Sequence, residues 1–127
     1  MSMAVFDTNI MIDYLNGSKK AADIVNKNQG SGPIGIASIT GYELAKGIGD
    51  ADKELLVTLF ERVRVYNMDL SAAWVAGELY KKLRASGLKL SEADLLIVAT
   101  ALSNGETFVT QDRDFKRLGT EKIIVVE

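Results

Sequence analysis

The sequence predicts an α/β fold, with a mainly parallel sheet of about five strands and helices on both faces. Three observations predict it. Short β-like apolar runs alternate along the chain with stretches of helical spacing. The longest apolar stretch, Leu95 to Leu102, lies in a helical segment that is apolar nearly all round, which marks a central, buried helix. The only proline, Pro33, and the glycines Gly17, Gly87 and Gly105 fall between the periodic segments, where breaks belong.

The elements follow in order. Met3 to Phe6 is the first strand. After Asp7-Thr8-Asn9, residues Ile10, Met11, Tyr14 and Leu15 have helical spacing, and Gly17 closes that helix. Ser18 to Asn28 is a polar helix with Ala21, Ile24 and Val25 on one face, and Gln29 to Pro33 is a loop. Ile34 to Ala37 is the second strand, after which Ser38 is expected to cap a helix carrying Ile39, Tyr42, Ala45 and Ile48. Asp50 or Asp52 starts the next helix, with Leu55, Leu56, Leu59 and Phe60 inward. Val63 to Met68 alternates apolar and polar, as a strand does. Ser71 to Ala85 is the longest helix, with Gly87 where a C-terminal cap belongs. Ser91 opens the apolar helix and Asn104-Gly105 ends it. Thr107 to Thr110 and Ile123 to Val126 are the last strands, and crossovers should be right-handed. No repeat, low-complexity stretch or boundary interrupts the pattern, so residues 1–127 read as one domain.

Composition narrows the chemistry. The 127 residues include 15 basic and 17 acidic side chains, for a net charge of −2, with no histidine and no cysteine. Histidine relays, zinc fingers, redox dithiols and disulfide frameworks are therefore excluded. A bound metal must rest on oxygen, which points to hard ions such as magnesium or manganese. Acid–base work must come from carboxylates, lysine, tyrosine or water activated by a metal. The weak negative charge argues only against a polyanion binder that works by net charge. Leu95 to Leu102 is far shorter than the roughly 20 residues that span a bilayer. The opening Met-Ser-Met-Ala-Val-Phe-Asp lacks a basic n-region, so no signal peptide and a cytoplasmic location are expected.

Sites of open α/β sheets lie beyond the carboxyl ends of the strands. Asp7 follows the first strand, and Asp112 and Asp114 follow the fourth. Glu43 and Asp94 stand out because their neighbours are apolar, and an unpaired buried carboxylate needs a partner or a cation. Each has an ordinary explanation too. Asp7 suits an N-cap, and Glu43 suits a solvated helix position beside Lys46. Ser91-x-x-Asp94 resembles a capping box, and Asp112-x-Asp114 resembles turn chemistry. Their common location at strand and helix ends is what raises the functional reading.

Four blocks in order resemble the PIN-domain ribonucleases, and in particular the single-domain toxins of VapBC-type toxin–antitoxin pairs. These are Val5-Phe6-Asp7-Thr8-Asn9-Ile10-Met11-Ile12-Asp13-Tyr14-Leu15, then Ala37-Ser38-Ile39-Thr40-Gly41-Tyr42-Glu43-Leu44 with Gly47, then Asp94 to Leu102, then Phe108-Val109-Thr110-Gln111-Asp112-Arg113-Asp114-Phe115. The resemblance covers the whole chain. It implies a three-layer α/β/α PIN-like fold and a Mg²⁺- or Mn²⁺-dependent endonuclease acting on RNA. It implies that Asp7, Glu43, Asp94 and Asp112 are the catalytic, metal-binding acids, with Asp114 an additional or alternative ligand. It gives Thr8, Asn9 and Thr110 supporting hydrogen bonds. It also implies a homodimer, and a cognate antitoxin whose tail covers the acidic site.

Lys46 and Arg113, with Lys116 and Arg117, lie near the acidic blocks; each reads first as solvated surface charge, and Lys46 and Arg113 are the candidates to meet substrate phosphates. Lys81, Lys82 and Arg84 read as surface charge, with Glu78 and Lys82 a ready i,i+4 pair. Trp74 and the tyrosines read as core or interface, with Tyr14 and Tyr42 set apart by their nearness to the acids. Two other readings compete. A non-catalytic PIN-like module that binds RNA or protein would lack part of the acid set, which here is complete. A phosphoacceptor receiver domain would need paired acids after the first strand and a lysine after a late one, and neither is present.

Overall fold

The computed structural model describes residues 3–127. The strands are β1 (Ala4–Phe6), β2 (Gly35–Ala37), β3 (Arg64–Tyr66), β4 (Thr107–Thr110) and β5 (Ile123–Val125). The helices are α1 (Thr8–Leu15), α2 (Lys19–Asn28), α3 (Ser38–Gly47), α4 (Lys53–Arg62), α5 (Leu70–Ala85) and α6 (Glu92–Ser103), with 3-10 turns at Asp50–Asp52 and Arg113–Leu118. The expected opening Met1-Ser2 lies outside the described residues. No helix among the described residues is long and apolar enough to cross a membrane.

One sheet runs in the order β3-β2-β1-β4-β5, and every pairing is parallel. Its two faces follow from the period of two along each strand. Val5, Ala37, Tyr66 and Phe108 point to one face and pack on α5 and α6 through Ala76, Leu83, Ile97, Val98 and Ala101. Ala4, Phe6, Ile36 and Val109 point to the other and pack on Ile10, Met11, Val25, Leu44 and Leu56 of the first four helices. This is the three-layer α/β/α arrangement the sequence predicts, with its strands shorter than expected. The apolar helix is central as predicted: Ile97, Val98, Ala99, Thr100 and Ala101 are all fully buried. Its one buried hydroxyl, on Thr100, donates to the Leu96 carbonyl at 2.7 Å, so it carries no unmet polar group.

Two glycines are required. Gly87 closes α5 at φ +72°, in the left-handed region. Gly35 sits where β1 and β2 approach: a Cβ there would stand 2.5 Å from the Ala4 carbonyl oxygen and 3.2 Å from the Tyr66 ring. The Tyr66 hydroxyl donates to Glu106, and that carboxylate also accepts from the Met3 N–H at 3.0 Å. The strong acceptor and burial push the tyrosine up to about 12, burial contributing most.

Several expectations about helix faces are corrected. Ser38 is the first residue of α3, not its cap; Ala37 holds the cap position and the Ser38 hydroxyl accepts from the Met68 N–H at 3.3 Å. The buried stripe of α3 is Thr40 and Leu44, while Tyr42 is 63% exposed and Ala45 is also outside. On α4, Leu56 and Leu59 point inward, whereas Leu55 and Phe60 are exposed. Lys82 does not pair with Glu78. It donates to the Leu118 carbonyl at 2.8 Å, tying α5 to the last 3-10 turn, and Lys81 is the one 3.9 Å from Glu78.

Candidate active site

Asp7, Glu43, Asp94 and Asp112 are linked near the carboxyl ends of β1 and β4 by shared threonine hydroxyls and by the mutual effect of their charges. Asp7 leaves β1 and becomes the N-cap of α1, as the capping reading expects. One carboxylate oxygen accepts from the Thr8 N–H at 2.8 Å. The other accepts from the Thr110 hydroxyl at 2.7 Å, at the end of the neighbouring strand. Only 5% of Asp7 is exposed. Burial pushes its carboxyl up to about 6; the bonds from Thr110 and Thr8 pull the other way, and the charges of Asp94 and Asp112 add to the rise.

Glu43 is half-buried on α3 and accepts from the Thr8 hydroxyl at 2.6 Å. That hydroxyl is also 3.0 Å from the hydroxyl of the buried Thr40. Glu43 is therefore held by a residue 35 positions earlier. It makes no ion pair with Lys46, whose ammonium instead lies 5.2 Å from the centre of the Tyr42 ring. Sequence reasoning misses Thr40; its only signal is a hydroxyl in a segment otherwise rich in apolar residues.

Asp94 lies in the first turn of α6, with its N–H donating to the Ser91 hydroxyl at 3.1 Å, as half a capping box would have it. Burial raises the Asp94 carboxyl, the Ser91 hydroxyl lowers it, and the charges of Glu43 and Asp112 raise it further. Asp112 is exposed and caps the last 3-10 turn, accepting from the Asp114 N–H at 2.9 Å. Its own N–H donates to the Thr110 hydroxyl at 3.0 Å. Thr110 thus links Asp7 to the backbone that carries Asp112.

These contacts and fields join Asp7, Glu43, Asp94 and Asp112. Asp114 is exposed, contributes its backbone N–H, and is not among the charges that move Asp7 or Asp94. Asn9 is exposed on α1 and makes no side-chain hydrogen bond among the described residues. Arg113 is engaged by Glu127 at 2.6 Å, an exposed pair at the chain's far end.

Among the described residues the ion pairs are Lys53–Asp50, Lys81–Glu78 and Arg113–Glu127, so none of the four acids is neutralised by a lysine or arginine. Nor does any group of three or more acidic side chains there stand in position to hold a metal ion. Like charges favour separated rotamers. Asp112 is exposed, and Glu43 and Asp94 are half-buried. The donor set is all carboxylate with hydroxyl support, and it fits a hard divalent ion.

Comparison with known proteins agrees with this fold. The family model of the PIN domain matches residues 4–121. Ribonuclease VapC19 of Mycobacterium tuberculosis is 28% identical over 101 residues, covering 79% of this chain and 81% of that one. A DNA-bound VapBC from Salmonella typhimurium superposes with a TM-score of 0.76 at 28% identity, covering 99% of this chain and 98% of its own. A toxin–antitoxin complex from Klebsiella pneumoniae gives 0.79 at 23% identity, covering 96% of each chain. With its parallel sheet and a family match over residues 4–121, the chain belongs to the PIN domain family.

Proposed function

We propose that the chain is a Mg²⁺- or Mn²⁺-dependent endoribonuclease and the toxin of a type II toxin–antitoxin pair. The observation that supports this reading above all others is the mutual charge effect among Asp7, Glu43, Asp94 and Asp112, none of which forms an ion pair among the described residues. In this reading those four hold the ion, and Asp114 orders Asp112 through its backbone. When bound, the ion supplies a water of lowered pKa and stabilises charge on the scissile phosphate and leaving oxygen. The chain itself supplies position. Asp7 is fixed from two sides by Thr8 and Thr110, and Glu43 by the Thr8 hydroxyl. Below about pH 6 the Asp7 carboxyl holds a proton, so the ion competes with that proton. Thr8 and Thr110 are positioning residues, and Lys46 and Arg113 stay assigned to substrate phosphate.

The relatives supply the biological setting. A relative named as a ribonuclease and structural neighbours solved as VapBC or toxin–antitoxin complexes support RNA as substrate and a cognate antitoxin as partner. We extend this to a cytoplasmic homodimer. With the four acids engaged by an ion, the remaining surface is mildly basic and does not repel RNA.

The test is RNA cleavage with Mg²⁺ or Mn²⁺, with and without chelator, beside Asp7→Asn and Asp94→Asn. Metal-dependent cutting that both substitutions abolish, with the fold intact by circular dichroism, is expected. Cleavage that survives both would refute the assignment of the centre.

A further inference from the structure

The cavity between α5 and α6 is used by nothing described so far. It measures about 450 Å³, within the size range of sites that take small organic groups. Leu83 and Leu95, both buried, form its floor. Tyr80, Arg84 and Lys89 stand around it. The Arg84 guanidinium donates to the Tyr80 hydroxyl at 3.0 Å, one helical turn away, so ring and guanidinium are held together. Neither Arg84 nor Lys89 joins an ion pair among the described residues.

We infer that this cavity is a subsite for one unstacked base of the RNA, with the adjoining phosphate on Arg84 and Lys89. The inference rests on the ribonuclease reading. An apolar floor beside two unpaired cations asks for a ligand with both a flat apolar part and a negative charge. A nucleotide has both. Single-stranded bases are held by stacking on tyrosine rings and guanidinium planes, and their phosphates by lysine and arginine. An apolar peptide side chain would leave both cations without a partner, and a bare anion would leave the leucines uncovered. Location agrees. Leu90 and Leu95 of the lining bracket the segment from Ser91 to Asp94, so the helix end that borders the cavity also carries one of the four acids.

The experiment measures single-stranded RNA oligonucleotides binding to the Asp7→Asn chain, which prevents turnover, and cleavage kinetics in the wild-type background. Tyr80→Ala is expected to weaken binding on the order of tenfold, the usual scale for loss of one stacked base. It should raise KM while leaving kcat within about twofold, because it removes uniform binding. Tyr80→Phe should keep most of the affinity. Arg84→Gln and Lys89→Gln should each lower the salt slope of binding by about 0.7, the share of one phosphate on a single strand. An oligonucleotide with one abasic position should bind as weakly as Tyr80→Ala makes the intact strand bind, at one position only, and Tyr80→Ala should add nothing to that effect. Unchanged affinity in Tyr80→Ala, or equal weakening at every abasic position, would overturn the subsite. So would variants that leave RNA affinity intact but change self-association by sedimentation, since the cavity would then be a protein interface. If the wild-type chain neither binds nor cuts RNA, the ribonuclease reading fails first and the subsite with it. Circular dichroism and thermal melting of each variant separate these results from misfolding.

Discussion

Asp7→Asn should make the metal-free protein more stable at neutral pH while destroying its activity. Asp7 titrates in the folded chain at about 6 against an ordinary value of 3.8. The sign follows from proton counting. Between those two values the folded state binds more protons at Asp7 than the unfolded state, so stability falls as pH rises. The penalty is absent below 3.8 and complete above about 6. A shift of that size corresponds to about 3 kcal/mol, and with only 5% of Asp7 exposed, solvent screens little of it. Asparagine keeps an oxygen for the Thr8 N–H and carries no charge, so it escapes the penalty, while its amide nitrogen cannot accept from the Thr110 hydroxyl, a loss that offsets about 1 kcal/mol. Urea unfolding in chelator at pH 4 and pH 7.5 measures the effect. The variant should exceed the wild type by about 2 kcal/mol at pH 7.5, with the gap closing toward pH 4. Added Mg²⁺ should stabilise the wild type and leave the variant nearly unmoved. A variant less stable than the wild type at both pH values would refute the electrostatic account, because Asp7 would then be a net stabilising cap.

Three further outcomes test the supports of the centre. Thr8→Val removes the hydroxyl shared by Glu43 and the buried Thr40, and should cost about 1–3 kcal/mol in urea unfolding; cleavage should fall with it and Thr8→Ser should restore both. Ser91→Ala removes the cap of α6 and should cost about 1 kcal/mol. Since the Ser91 hydroxyl lowers the Asp94 carboxyl, the same change should move the acidic limb of the cleavage pH profile upward. Gly35→Ala forces a Cβ against the Ala4 carbonyl and should cost about 1–3 kcal/mol by denaturation, with a larger loss for Gly35→Val.

Much of the fold is legible in the sequence because local pattern and global packing agree. The apolar segment after Ser91 is buried on nearly every side, and β4 spans the run from Thr107 to Thr110 that the sequence marks as a strand. The faces of α3 and α4 are harder. On α3, Tyr42 looks like a core residue by type, but the chain turns Thr40 inward to meet Thr8, leaving the aromatic ring in solvent under Lys46. No spacing rule on α3 alone contains that information, since the partner comes from α1. The acids are legible as strand-end and helix-end residues. Their tethers are less so: Thr8 and Thr110 follow from resemblance, and Thr40 from the structure alone. The rivalry between Asp112 and Asp114 has no solution in sequence. In the structure both are exposed; Asp114 gives its backbone N–H to Asp112, and of the two charges Asp112 alone raises Asp7 and Asp94.

The strand order also sets when this centre can exist. β1 lies between β2 and β4, and its closing contact, from Thr110 to Asp7, joins residues 103 positions apart. A chain emerging from a ribosome presents Asp7 and Glu43 early, but one edge of β1 stays open until the fourth strand is out. Distant parallel pairings carry a large loop-closure cost and form slowly. The buried carboxylate, its two tethers and its acidic neighbours therefore come together last. A nascent or truncated chain that stops short of β4 lacks Asp112 and the Thr110 tether, so the linked set of acids cannot be complete before β4 is in place.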